Sequence, residues 1–172
     1  MNLLTNITIF LTSLFYIGVG VKHFMDPNWF LIIIPPYLKF IGIELVYISG
    51  IFEILFGFLI LLSKYRKIAG YGIILLLLAV YPANIYLAFN KDAQNLIGIS
   101  QFMALWVRLP IQFVLIFIVY SILEDKKKNK TIILSFVANF VITIFLPYPI
   151  NGIIFIVLLI FLLYALLNNA KN

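Results

Sequence analysis

Glu53 and Arg108 lie deep inside long apolar runs of the chain, where bilayer hydrocarbon tolerates neither charge without a partner. Paired with each other, they would form a buried ion pair that fixes helix packing, with Asn84 and Gln112 satisfying leftover donors. Arranged around a ligand, the same groups do different chemistry. An arginine anchored by a carboxylate and an amide keeps spare donors for a quinone carbonyl, a carboxylate or a lipid headgroup. Glu53 would then orient the ligand or accept its proton. One site can serve both purposes. His23 is the remaining candidate, although a lone histidine at the end of an apolar run is more often an interfacial hydrogen-bonder than a catalytic base. Ligand-binding candidates are therefore Glu53, Asn84, Arg108, Gln112 and His23.

Spacing says which way some of these groups face. Gly50, Glu53 and Gly57 fall at i, i+3 and i+7, one helical stripe on which the glycines admit a second backbone close to the carboxylate. Glu44 is nine residues earlier and half a turn out of phase, so it snorkels to the surface or pairs with a lysine of the segment Asp26 to Phe40. Arg108 and Gln112 share a face at i, i+4. Between them Pro110 frees the carbonyl of Trp106, and Pro82 likewise frees that of Leu78. Broken backbone at membrane depth lines protein or a wet cavity, not lipid.

The elements that must position these groups are membrane spans. The chain has 172 residues, of which 65% are hydrophobic and 10% charged, with a mean hydropathy of +1.15. A soluble core cannot hide so much apolar surface, so an all-α integral membrane protein is predicted. Apolar runs from Leu3 to Val21, Ile41 to Leu62, Ile68 to Phe89 and Phe102 to Leu123 predict a four-helix transmembrane bundle core within residues 1–124. The first run has no basic leader and no small-x-small cleavage site, and is read as a retained span. Two further runs, Ile132 to Leu146 and Ile150 to Leu167, flank Pro147-Tyr148-Pro149 and predict an extra C-terminal helical hairpin over residues 131–168. Six spans result, with four spans plus a re-entrant hairpin as the alternative.

Lys64, Arg66, Lys67, Lys126, Lys127, Lys128, Lys130 and Lys171 then fall on one side against Lys22, Lys39 and Lys91 on the other, which puts both termini in the cytoplasm. At about 1.5 Å per residue, the helical rise sets depths from the cytoplasmic ends of roughly 15 Å for Glu53, 22 Å for Arg108, 24 Å for Asn84 and 31 Å for His23. These depths define a pocket in the outer half. Asp26 to Phe40, with Trp29, Phe30, Tyr37 and Pro35-Pro36, reads as an interfacial flap covering that pocket or as an ordinary aromatic belt. The absence of cysteine removes thiol and thiolate-metal chemistry, and a single histidine builds no metal site by itself. The net charge of +6 comes from lysines clustered between apolar runs, so nucleic acid is not implied.

Gly20-Val-Lys-His23-Phe24, Asp26-Pro27, Pro35-Pro36-Tyr37, Ser49-Gly50-Ile-Phe-Glu53-Ile54, Pro82-Ala83-Asn84-Ile85-Tyr86 and Arg108-Leu109-Pro110-Ile-Gln112 together resemble the DoxX family of small bacterial membrane proteins. That resemblance implies a four-helix bundle in the bacterial cytoplasmic membrane, with Glu53, Asn84 and Arg108 among characteristic polar positions. It also implies either quinone-linked redox work beside a membrane or peripheral oxidoreductase partner, or assembly of other membrane proteins. The expected function is binding of a lipophilic small molecule, a quinone among the candidates, as a subunit of a membrane redox system. No cofactor beyond a quinone is expected, and the isolated chain leans away from being an enzyme. The alternative is a non-catalytic assembly or chaperone protein that recognises partner transmembrane helices. A transporter is less favoured, since no inverted repeat is apparent.

Overall fold

Backbone N–H and C=O groups find no water in hydrocarbon and must pair within their own segment, so apolar runs of this length become helices. The computed structural model describes residues 3–123, leaving the hairpin expected over residues 131–168 outside the described residues. The described residues are helical, with no strand among them. Helix α1 (Leu3–Met25) is followed by a short α2 (Pro27–Ile32), a 3-10 segment (Pro36–Ile41), α3 (Gly42–Leu59), α4 (Arg66–Phe89), α5 (Lys91–Ile97), a π-helical segment (Met103–Arg108) and α6 (Leu109–Leu123). Four helical stretches are long and apolar enough to cross a membrane: Thr5–Met25, Pro36–Leu59, Arg66–Phe89 and Met103–Leu123. Their length and composition are compatible with a membrane bundle.

The ends of these elements follow from particular residues. Asp26 caps α2 by accepting from the Trp29 amide at 3.3 Å, and Pro27 needs no amide partner in the first turn. The polar stretch Asn90 to Gln101, between the third and fourth apolar runs, contains α5. Asn90 starts α5 by accepting from the Ala93 amide at 2.8 Å, and Gly98 ends it with φ of 71°, a left-handed conformation that glycine takes without strain. The Gln94 side chain donates to the Leu87 and Ala88 carbonyls at 2.8 and 3.0 Å, so α5 satisfies the open end of α4.

The four spans form a ring in which α1 packs on α3, α3 on α4, α4 on α6, and α6 returns to α1. At the first seam backbone meets backbone. A Cβ added to Gly20 would sit 2.8 Å from the Gly50 carbonyl oxygen, and one added to Gly50 would sit 2.7 Å from the His23 Cβ. Small residues therefore let α1 and α3 meet backbone to backbone, as the Gly50–Glu53–Gly57 stripe predicts. At the next seam the Phe56 ring lies flat against Gly72. The flap is a packed roof: Phe30, Ile33, Ile34 and Pro35 are buried, and Phe30 and Ile34 cluster with Val46 of α3.

Candidate functional site

Beneath the flap, the ring of spans encloses a cavity of about 400 Å³. His23, Glu53, Asn84, Arg108 and Gln112, brought from four helices, all line it. Most of its wall is aliphatic or aromatic. The polar groups fall into two clusters, one on α1 and α3 and the other on α4 and the π–α6 span.

On the α1–α3 side, His23 is the organising residue. Its Nδ1 lies 2.9 Å from the Val46 carbonyl and donates to it, its ring stacks on Phe30 at 3.6 Å between centroids, and its Nε2 is 3.3 Å from Glu53 Oε2. The histidine is 6% exposed and the glutamate 7%. His23 is thus enclosed although it stands near the end of α1, because the bend from α1 into α2 folds the flap over it. Glu44, by contrast, is exposed, as its phase requires.

On the other side a single hydrogen-bonded relay runs inward. Arg108 Nε donates to Asn84 Oδ1 at 2.9 Å, Asn84 Nδ2 donates to Gln112 Oε1, and Gln112 Nε2 donates to the Leu77 carbonyl. Each amide spends its acceptor on the residue before and a donor on the acceptor after it, so both are held in one orientation. The expected carbonyl freed by Pro82 is Leu78, and the relay ends on its neighbour in the same disturbed turn. Near Pro110 the backbone adopts the π-helical segment Met103–Arg108, which carries Arg108 at its last position. The guanidinium also lies 5.2 Å over the Trp29 ring of the flap.

Arg108 and Glu53 do not pair with each other. Among the described residues the carboxylate lies against His23, while Arg108 is anchored by Asn84 and Trp29. The cause is topological. Glu53 belongs to the α1–α3 seam and Arg108 to the α4–α6 seam, and the cavity lies between them.

Two participants are absent from the sequence-based set. Tyr16 and Ser49 also line the cavity, 3% and 8% exposed, and neither hydroxyl has a hydrogen-bond partner among the described residues. The signal was present in their spacing, since Ser49 precedes Glu53 by four residues and Tyr16 precedes His23 by seven. Among the described residues no three His, Cys, Asp or Glu side chains come together as a metal ion would need, His23 and Glu53 being only a pair.

The described residues form a bundle of four long apolar helices around a polar-ended apolar chamber. A family model described as a Domain of unknown function (DUF8561) matches residues 12–123, and the chain belongs to that family. The resemblance to the DoxX family is thereby corrected: the short blocks that carried it are glycines, prolines and polar groups that any tightly packed four-span bundle with an internal site would use. No curated protein and no solved structure matches the chain.

Proposed function

We propose that the protein is a multi-pass membrane protein whose outer-half cavity binds a lipophilic small molecule through an oxygen-bearing head, with a quinone as the leading class. The observation that carries this reading is the separation of Arg108 from Glu53 across one largely apolar cavity. Arg108 commits Nε to Asn84, and its terminal nitrogens make no hydrogen bond among the described residues. They remain available to a ligand oxygen. A pre-formed apolar chamber with a few converging polar groups is the usual form of a small-molecule site. In this reading six spans place both termini in the cytoplasm, and a membrane or peripheral oxidoreductase partner supplies the electrons that quinone chemistry requires.

Mass spectrometry of lipophilic molecules retained by the full-length protein in gentle detergent, beside Arg108→Ala, tests the proposal. A specific ligand present in the wild type and depleted in the variant is the expected result. Bulk lipid alone in both would sink it.

A further inference from the structure

The α1–α3 side of the cavity is short of hydrogen bonds in a particular way. Apart from the His23 Nε2 contact at 3.3 Å, which makes no hydrogen bond, the Glu53 carboxylate accepts none among the described residues, and its Oε2 is fully enclosed. Tyr16 Oη and Ser49 Oγ are enclosed and unpartnered beside it in the same cavity wall. None of the three bonds to another, although each residue is more than nine-tenths buried. Buried polar atoms left in this condition normally cost stability, so three in one wall mark the place where a partner arrives.

We infer that the cavity takes a lipophile whose head donates a hydroxyl hydrogen to Glu53 while a second head-group oxygen accepts from Arg108. This rests on the cavity reading above and names the chemical form of its ligand. With the His23 ring proton spent on the Val46 carbonyl, Nε2 gives the carboxylate no donor, and Glu53 calls for one, which a ketone or ester oxygen is not. An ammonium would also donate, but it would share one low-dielectric chamber with the Arg108 guanidinium, and like charges repel strongly there. A neutral hydroxyl meets the carboxylate without that penalty. Tyr16 and Ser49, each both donor and acceptor, complete the shell around it. The aromatic lining, with Phe30 stacked on His23, favours a planar head. Within the quinone class the reduced, dihydroxy form fits and the fully oxidised form does not. A monoacylglycerol offers the same donor and acceptor pair on a lipid.

The test is calorimetric titration of the full-length protein in detergent, without oxygen, using 2-decyl-1,4-benzoquinol, the corresponding quinone and the quinol's dimethyl ether. In parallel, 1-monodecanoylglycerol is compared with its dimethyl ether. A hydroxylated head is expected to bind about tenfold or more tighter than its capped or oxidised counterpart, the scale of one hydrogen bond to a charged group. Whichever series shows that margin identifies the source. The margin should shrink in Glu53→Gln and persist in Gln94→Ala, a variant remote from the cavity. Equal binding of quinol, quinone and ethers would overturn the donor-head inference and leave the cavity reading standing. Binding of no probe would remove both.

Discussion

Asn84 is the narrowest point of the polar relay, because it accepts from Arg108 with one end and donates to Gln112 with the other. Arg108→Ala therefore strands an amide rather than a carboxylate, while Glu53 keeps His23. A double-mutant cycle separates these partnerships. With ligand stripped, Glu53→Gln and Arg108→Ala should add to within about 0.5 kcal/mol, as unconnected sites do, whereas Glu53→Gln and His23→Ala should couple by about 0.5–3 kcal/mol. Unfolding in detergent provides the measurement, and strong Glu53–Arg108 coupling would contradict the separation described. The sequence made Glu53, Asn84, Arg108 and Gln112 conspicuous because a polar group in an apolar run is itself the signal. It could not pair them. Periodicity fixes the face a residue occupies on its own helix, but the neighbour it meets depends on how helices are ordered around the ring.

Among the elements, the α1–α3 seam controls the site most directly, since Gly50 lies beneath His23 and Glu53 is on the next turn. Gly50→Ala would place a methyl group 2.7 Å from the His23 Cβ and force the seam apart. A loss of about 1–3 kcal/mol is expected from such overpacking, together with weaker ligand retention. Gly18, on α1, is the control, because a Cβ there meets nothing within 4 Å. Gly18→Ala should be neutral or slightly stabilising, by up to about 1 kcal/mol. Thermal unfolding of the two variants decides the matter: equal behaviour would mean that the seam is not the tight point. The spans were legible from apolar length alone. Helix α5 was not, because its polar sequence resembles a connection and its reason for being helical is tertiary, the Gln94 side chain closing the end of α4.

For the whole molecule, basic residues divide between the ends of the spans. Lys64, Arg66 and Lys67 lie between the second and third, and Lys91 lies between the third and fourth. Because the chain contains no cysteine, single substitutions report sidedness without background. In intact cells Lys91→Cys should react with a membrane-impermeant maleimide, and Lys64→Cys only after permeabilisation. The opposite pattern would invert the topology and move the cavity to the inner leaflet. The roof over that cavity carries a further consequence through Trp29, whose ring lies 5.2 Å from the Arg108 guanidinium and 4.9 Å from Lys22 Nζ. Indole emission responds to the electric field across the ring, and two cations set that field here. When an oxygen arrives at Arg108 the local field changes, so the protein's own ultraviolet fluorescence becomes a label-free optical gauge of whether the chamber is filled.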